Sequence, residues 1–364
     1  MTITVADETL QELASRIEPP SNIARNAAID KWNAVAKPIG SLGMLEDDIV
    51  RIAALVGSED FTLARPAAII LCADNGVVAQ GISQCGQEVT CAVANNIARD
   101  ESSVCTMAKT AGIDVIGIDM GMKTPAESPV IRNRVIARAT ADITQGPAMS
   151  QEQAIRAIQT GIDLVEELKD EGYDIIASGE MGIGNTTTSS ALASVLLDMP
   201  VNAVTGRGAG LSDDGLSRKI AAIEKAIEVN RPDPENPLDA LSKLGGFDIA
   251  GLAGLFIGGA IHRVPIIIDG FISALSALIA KRLIPQSTCC MLASHMSAEP
   301  ATQSIMRELG LCAPIQAQLR LGEGTGAVCL IPMLTMALAL YNGTSFAQTG
   351  IDAYDPSLVK TLEA

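Results

Sequence analysis

Short apolar runs alternate with longer amphipathic segments along most of this chain. Five apolar runs end in polar or glycine residues, which predicts strands at residues 67–73, 114–118, 173–177, 264–268 and 288–293. The spacing of apolar positions between and after them predicts helices at 87–98, 102–111, 151–171, 186–197, 213–229, 271–282 and 301–309. Such alternation predicts an α/β fold, in which helices cover both faces of a mostly parallel sheet.

The two ends of the chain carry helical patterns and no strand pattern. Helices are predicted at residues 8–16, 22–36 and 42–56, and an apolar helix is predicted at 326–340. We therefore predict a small helical domain made of residues 1–60 together with 341–364. Residues 61–340 then form a large α/β domain. The prolines near 231–236 predict a loop between two helices rather than a boundary between domains.

The segment 249–261 is strongly apolar and contains Gly254 and Gly258 in GxxxG spacing. It is well short of the roughly 20 apolar residues that a membrane-spanning helix needs. The pattern predicts a buried helix whose glycines allow another element to approach closely.

Composition narrows the classes of partner and cofactor. The 364 residues carry a formal net charge of −16, so nucleic acids and anionic membranes are poor partners. The eight cysteines show no CxxC spacing, and His262 and His295 are the only histidines, which predicts no metal site. We also predict no cofactor. The acidic N-terminus lacks an apolar signal core and predicts a cytoplasmic protein.

Polar residues follow four of the predicted strands. In chain order these motifs are Asp74-Asn75-Gly76, Gly179-Glu180-Met181-Gly182, Asp269-Gly270 and Ser294-His295. Ligands of parallel α/β sheets bind beyond the carboxyl ends of the strands. We therefore expect these motifs to meet at one site.

Residues 178–194 are the most informative segment. A predicted strand leads into a glycine-rich turn, and three threonines and two serines then open a helix. Free backbone N–H groups and hydroxyls at a helix start predict an anion site, such as a phosphate site without a lysine. Glu180 in this turn is unusual beside a phosphate, so the site is expected to handle a proton or a cation as well.

A second glycine-rich turn, at 206–210, precedes the predicted N-cap Ser212 and a helix that carries Lys219. It lacks the GxGxxG spacing of dinucleotide sites and the Lys-Ser/Thr ending of a nucleotide P-loop. The turn is therefore either a tight turn alone or, with Lys219, the second half of a phosphate clamp.

Glu323 lies between two glycines at the start of an apolar helix. A solvated glutamate there merely complements the helix dipole. The apolar neighbours instead predict partial burial, which raises the pKa of a carboxyl group and suits it to general-base catalysis.

Two other motifs leave alternatives open. Lys37 precedes a helix with Ser41 as its expected cap, so Lys37 either belongs to that cap or extends into a cleft. After the first strand, Ser83 and Gln87 either belong to a helix start only or hydrogen-bond a planar heterocycle.

Taken together, these motifs resemble the nicotinate-nucleotide–dimethylbenzimidazole phosphoribosyltransferase family of cobalamin lower-loop assembly. The resemblance extends over nearly the whole chain, and the motifs are specific as an ordered set. They are Lys-Pro-Ile-Gly-Ser-Leu-Gly at 37–43, Ala-Asp-Asn-Gly-Val at 73–77, Gln-Glu-Val-Thr at 87–90, Gly-Glu-Met-Gly-Ile-Gly-Asn-Thr-Thr at 179–187, Gly-Arg-Gly at 206–208, Asp-Gly-Phe at 269–271, and the segments 294–300 and 319–326.

The resemblance implies transfer of a 5-phosphoribosyl group from nicotinate mononucleotide to a benzimidazole, giving nicotinate and an α-ribazole phosphate. It implies Glu323 as the general base and Glu180 as a second carboxylate in the same site. It also implies a Rossmann-like sheet domain, a small helical domain and a homodimer that acts on small molecules.

The resemblance also assigns the substrate-binding residues. The expected phosphate and ribose ligands are Gly182, Asn185, Thr186, Gly208, Lys219 and Arg320. The expected base-binding residues are Ser83, Gln87 and Leu321. Asn75 stands where many relatives carry histidine, near the expected base pocket, so the sequence leaves the accepted base open.

Two other functions are compatible with parts of the pattern. An enzyme that uses phosphoribosyl pyrophosphate would need a paired-acid loop after a strand, but Asp213 and Asp214 open a helix. A non-catalytic nucleotide sensor would bind without turnover, and it gives no reason for both Glu180 and Glu323. The transferase is therefore the function that the sequence favours.

Overall fold

The computed structural model describes residues 5–355, with side chains from residue 9 onward. The strands in this range are β1 (Pro66–Ala73), β2 (Asp114–Gly121), β3 (Arg132–Asn133), β4 (Ile175–Met181), β5 (Ile266–Ile268) and β6 (Met291–Ala293). The α-helices in the same range are α1 (Val5–Ser15), α2 (Asn22–Ala34), α3 (Met44–Val56), α4 (Glu88–Ala98), α5 (Ser103–Ala111), α6 (Gln151–Asp170), α7 (Asn185–Leu196), α8 (Val201–Val204), α9 (Asp213–Asn230), α10 (Pro237–Leu244), α11 (Phe247–His262), α12 (Phe271–Leu283), α13 (Thr302–Leu309), α14 (Thr325–Tyr341) and α15 (Phe346–Thr349).

The six strands form one parallel sheet in the order β3-β2-β1-β4-β5-β6. This is the strand order of doubly wound Rossmann folds, in which the chain reverses its direction of progress between β1 and β4. The predicted α/β class and the parallel sheet are confirmed.

Strand β1 divides the hydrophobic core into two layers because successive side chains of a strand point to opposite faces. Ile69 and Leu71 belong to one cluster, with apolar residues of α6, α7, α11 and α12. Ile70 and Cys72 belong to the other, with residues of α3, α5 and α14. Both faces of the sheet are thus covered by helices, as the alternating pattern predicts.

Helix α11 is the apolar segment that contains the GxxxG spacing, and it packs against α6. A β-carbon at Gly254 would lie 2.0 Å from the carbonyl oxygen of Ile158, and one at Gly258 would lie 2.9 Å from the Cα of Ile162. The glycines are therefore needed for close helix packing, which confirms the predicted buried helix. None of the helices within residues 5–355 is long and apolar enough to cross a membrane.

The predicted end of the third strand is wrong. Strand β4 continues to Met181, so Glu180 is part of the strand and not of a turn. Residues Leu71 and Cys72 of β1 pair with Glu180 and Met181. Backbone pairing with β1, which is buried along its whole length, therefore extends β4 through a polar sequence that has no strand pattern of its own.

The N-terminal helices pack onto the core of the sheet. Residues Ile49 and Ile52 of α3 share the second cluster with α14, and an isolated bridge joins Val35 to Ser345. The boundaries of the helical domain, 1–60 plus 341–364, stay a prediction, and residues 1–4 and 356–364 lie outside the described range.

Lys37 is buried in this helical layer. Its Nζ lies 2.7 Å from Glu46 Oε1 and 4.8 Å from the centre of the Trp32 ring. Ser41 does not cap α3, since Gly43 holds the N-cap position without a side-chain hydrogen bond. Lys37 therefore does not extend into a cleft. It does not belong to a Ser41 cap either, because its ammonium group forms a buried ion pair with Glu46.

Candidate active site

A cleft of about 350 Å³ opens at the carboxyl ends of β4, β5 and β6. It is lined by parts of the segments that follow these strands and by the loop before α14, at residues 180–186, 269–273, 295–299 and 319–325. Three of the four polar motifs therefore meet, as expected. The Asp74 motif does not line the cleft: Asp74 accepts hydrogen bonds from Thr90 and from the Lys123 backbone, and Asn75 is fully buried.

The loop between β4 and α7 forms one wall of the cleft. Gly184 adopts a left-handed φ of 96°, and α7 begins at the next residue. Gly182, Asn185 and Thr186 line the cleft at this helix start. Their role in binding a phosphate stays a prediction. The predicted role of the following hydroxyls is wrong. All four are fully buried, because other helices surround α7; they are Thr187, Thr188, Ser189 and Ser190.

Lys219 joins this loop to the second glycine-rich turn. Its Nζ donates to Thr186 Oγ1 at 3.0 Å and to the Gly206 carbonyl at 3.2 Å. Burial lowers the pKa of the ammonium group to about 8, against the opposing effect of Glu299. Lys219 is therefore mainly protonated at neutral pH and places a positive charge behind Gly208, which lines the cleft.

The N-terminus of α9 does not form the second half of a phosphate clamp. Ser212 caps the helix by accepting from the Gly215 N–H at 3.1 Å, as predicted, but neither residue lines the cleft. Asp213 and Asp214 would in addition repel an anion there. The second wall consists of Gly208 and Ala209, supported by Lys219 from the second turn of α9.

Glu180 lies near the bottom of the cleft and is 8% exposed. The Asn185 side-chain amide donates to Glu180 and, at 2.9 Å, to Asp248 Oδ2. Burial, followed by the negative charge of Asp248, raises the pKa of Glu180 to about 8. Glu180 is therefore mainly protonated at neutral pH, and Asn185 directs its amide hydrogens to two carboxyl groups.

Glu180 makes the stability of the protein depend on pH. The folded state holds a proton on Glu180 up to a pH of about 8, whereas the unfolded chain releases it near 4.5. Stability therefore falls as pH rises through this window, by roughly 3–5 kcal/mol from this group. We expect the unfolding free energy of Glu180→Gln to fall less than that of wild type between pH 5 and 9 in urea titrations. Parallel pH profiles would contradict this.

Glu323 lies in a run of three left-handed residues. The φ angles of Gly322, Glu323 and Gly324 are 89°, 57° and 78°. The half-buried carboxylate lines the cleft, and its Oε2 accepts from the Val104 N–H at 3.2 Å. A β-carbon at Gly322 would lie 3.2 Å from Glu180 Oε1, so the loop brings both glutamates into one site.

Asp269 holds the Glu323 loop in place. Its Oδ1 accepts from the N–H groups of Gly326 and Ala327 at 2.8 and 3.0 Å, and its Oδ2 accepts from that of Gly324 at 3.2 Å. Burial raises the pKa of Asp269 to about 6, and the backbone hydrogen bonds oppose this rise. The carboxylate thus caps α14 and anchors the loop at the same time.

The predicted base-binding residues are only partly brought together. Leu321, 56% exposed, lines the rim of the cleft. The exposed Arg320, which is expected to bind the phosphate or ribose, lies beside it on the same rim. Ser83 lines an adjoining hollow that shares the 182–186 loop. Gln87 does not line either space, because its Nε2 donates to the Asn75 carbonyl at 3.1 Å.

Sequence reasoning missed an apolar wall formed by Cys85, Val89 and Val93. Val89 and Val93 are four residues apart on α4 and so share one helix face. This i, i+4 spacing of two valines is the sequence pattern from which an apolar wall could have been predicted. Within residues 5–355, no group of three His, Cys, Asp or Glu side chains is arranged to hold a metal ion.

Comparisons with known proteins identify the family of this chain. A family described as phosphoribosyltransferase matches residues 17–351. The nicotinate-nucleotide–dimethylbenzimidazole phosphoribosyltransferase of Acetivibrio thermocellus is 42% identical over 96% of this chain and 99% of its own. The enzyme of the same name from Clostridium acetobutylicum is 43% identical over 95% of this chain and 99% of its own length.

Solved structures give the same result. The crystal structure of CobT from Thermus thermophilus has a TM-score of 0.86 and 34% identity, and the match covers 91% of this chain and 100% of that one. A second structure from this organism, described as a nicotinate-nucleotide–dimethylbenzimidazole phosphoribosyltransferase, has a TM-score of 0.85. Sequence and fold agree over almost the full length, and the chain belongs to the nicotinate-nucleotide–dimethylbenzimidazole phosphoribosyltransferase family.

Proposed function

We propose that this protein transfers the 5-phosphoribosyl group of nicotinate mononucleotide to 5,6-dimethylbenzimidazole or a related base. The products are nicotinate and α-ribazole 5′-phosphate, the nucleotide of the cobalamin lower loop. One observation carries the proposal: a glycine-lined anion loop with a buried lysine behind it shares a cleft with Glu180 and Glu323. The site thus combines groups that suit a sugar phosphate with groups that move a proton.

The reaction is a substitution at C1′ of the ribose. One ring nitrogen of the benzimidazole attacks C1′, and the bond to nicotinate breaks with its electron pair going to the pyridine nitrogen. The other ring N–H of the benzimidazole becomes acidic as positive charge develops. Glu323 accepts that proton, and attack opposite the leaving ring inverts β to α. General-base assistance of this kind is typically worth about 10²–10⁴ in rate.

The remaining residues bind and orient. Gly182, Thr186 and Gly208 hold the phosphate, with Lys219 supplying a positive charge from behind. The apolar wall of Val89 and Val93 suits the flat face of a benzimidazole. Glu180, mainly protonated at neutral pH, offers a hydrogen-bond donor within the site. Holding base and sugar in line supplies much of the remaining barrier reduction.

The direct test is a product assay. The enzyme is incubated with nicotinate mononucleotide and a panel of benzimidazoles, purines and phenols, and products are identified by mass spectrometry. We expect nicotinate release only when an acceptor is present, together with an α-linked ribotide of a benzimidazole. Tight nucleotide binding without any product would instead indicate a non-catalytic nucleotide sensor. Turnover only with phosphoribosyl pyrophosphate and magnesium would indicate a transferase that uses phosphoribosyl pyrophosphate as its donor.

Lys219 gives a prediction about nucleotide binding. We expect Lys219→Met to raise the Michaelis constant for nicotinate mononucleotide about tenfold or more, because a charge-assisted contact is worth about 1.5–3 kcal/mol. The matched control is Lys225→Met on the same helix, where an exposed lysine pairs with Glu228 at 3.1 Å. Initial-rate kinetics and a melting temperature separate weaker binding from misfolding. Unchanged Michaelis constants in both variants would contradict the assignment.

We also propose that the enzyme is a homodimer of the cytoplasm. The family resemblance supports the dimer, and the eight free cysteines suit the reducing environment of the cytoplasm. Light scattering of the purified protein measures the oligomeric state, and cell fractionation measures the location. A monomer at micromolar concentration would contradict the dimer.

A further inference from the structure

The segment between β6 and α13 lines the cleft with two hydrogen-bond acceptors that the reaction described above does not use. The first is His295, which is only 4% exposed. Its Nδ1 lies 3.0 Å from Ser294 Oγ. The Ser294 hydroxyl lies 2.6 Å from the Ile268 carbonyl, to which it must donate its single hydrogen. The hydrogen between Ser294 and His295 therefore belongs to Nδ1, and Nε2 carries a lone pair.

Nε2 of His295 has no hydrogen-bond partner among the described residues, and the ring lines the cleft. Burial lowers the pKa of His295 to about 4, so the ring stays neutral at physiological pH. A neutral imidazole with its hydrogen on Nδ1 acts only as an acceptor at Nε2. The partner it is built for is a donor, such as a hydroxyl group.

The second acceptor is Glu299. Its Oε2 is buried and has no hydrogen-bond partner within residues 5–355. It lies against the second glycine-rich turn, where a β-carbon at Gly206 would come within 1.9 Å of it. A buried acceptor without a donor is unfavourable. Glu299 also lines the cleft, so a bound ligand can supply that donor.

Two acceptors in a site for a ribose phosphate match the two vicinal hydroxyls of ribose. We propose that His295 and Glu299 recognise the ribose diol of the nucleotide and make the enzyme specific for ribonucleotides over deoxyribonucleotides. This inference depends on the proposed function, since it concerns the sugar that is transferred. Glu180 and Glu323 remain free to face the base.

The positions of the two acceptors assign one hydroxyl to each. His295 packs against Gly326, three residues after Glu323, which acts next to C1′. Glu299 lies by Gly206, whose carbonyl accepts from Lys219 at the phosphate end. Because C2′ adjoins C1′ and C3′ lies toward the phosphate, His295 accepts from the 2′-hydroxyl and Glu299 from the 3′-hydroxyl.

The test compares kcat/KM for nicotinate mononucleotide with kcat/KM for its 2′-deoxy and 3′-deoxy analogues. For His295→Leu we expect a loss of about tenfold or more with the ribonucleotide and with the 3′-deoxy analogue, but little change with the 2′-deoxy analogue. His295→Gln, which keeps an acceptor near the Nε2 position, restores part of the preference. For Glu299→Ala the 3′-deoxy analogue is the one whose rate is little changed.

The outcomes separate this inference from the proposed function. Equal losses with all three nucleotides would mean that His295 and Glu299 have only a structural role, and would overturn the inference. Wild-type enzyme that turns over deoxy and ribo substrates equally would overturn it as well. Wild-type enzyme without turnover of nicotinate mononucleotide would overturn the proposed function itself.

Discussion

Replacing Glu323 by glutamine is expected to lower kcat by about 10²–10⁴, because the amide keeps the shape of the side chain but accepts no proton. The side-chain oxygen of glutamine still accepts from the Val104 N–H, which lies 3.2 Å from Glu323 Oε2. The loop should therefore keep its conformation. Single-turnover release of nicotinate measures the chemical step, and calorimetric titration with nicotinate mononucleotide measures binding, which we expect to change little.

The matched control for Glu323→Gln is Glu152→Gln. Glu152 is likewise a glutamate at a helix start, but it is exposed on α6 and does not line the cleft. We expect wild-type kinetics from this control. Full activity of Glu323→Gln would remove Glu323 from the role of general base, whatever the control does.

The second large effect is expected from Asp269, through the loop that it anchors. In Asp269→Ala the N–H groups of Gly324, Gly326 and Ala327 lose their acceptor. Each unsatisfied buried donor costs about 1–3 kcal/mol, so we expect a clear fall in the unfolding free energy. We also expect kcat to fall on the order of 10²-fold, since a displacement of about 1 Å has this effect on catalysis. Asp269→Asn, which retains one oxygen acceptor, should recover part of both.

A double variant distinguishes positioning from general destabilisation. If Asp269 acts by placing Glu323, then Asp269→Ala costs far less activity in a Glu323→Gln background than in wild type, because the positioned group no longer catalyses. Melting temperatures of the four proteins are measured alongside kcat. The same fold-loss in both backgrounds would show that Asp269 affects activity only through stability.

The elements of the fold were predictable where local pattern and burial agree. Strand β1 and helices α6 and α11 follow directly from apolar runs and periodic spacing. The end of β4 was not predictable from the sequence, because residues 178–181 have no strand pattern and are held in the sheet only by pairing with β1. The Ser/Thr run of α7 was misjudged for a related reason: hydroxyl-rich helix starts are usually solvated, and only the surrounding helices bury this one.

The candidate site divides in the same way. Glu180 and Gly182 were predictable as cleft residues, because ligands of parallel α/β sheets bind beyond the carboxyl ends of the strands. Glu323 and Gly208 also line the cleft, and the family resemblance is what favoured them over a purely structural role. Gln87 does not line the cleft, because its Nε2 donates to the Asn75 carbonyl, a contact between two segments that neither segment's local pattern predicts. Its role in binding the base stays a prediction. The acceptors His295 and Glu299 became meaningful only when the structure showed that both residues line the cleft and that each has an acceptor atom without a hydrogen-bond partner.

The sequence by itself determined the parallel α/β class, the order of the glycine-rich loops and the family, because these depend on residue types and spacing along the chain. Tertiary structure alone decided the state and partners of the groups that carry the chemistry. Asn185 joins Glu180 to Asp248, and Asp269 anchors a loop 55 residues away. The proton on Glu180 is retained because burial and a neighbouring carboxylate disfavour its charge. These effects depend on distances of a few ångströms between segments far apart in the chain, which no local pattern encodes.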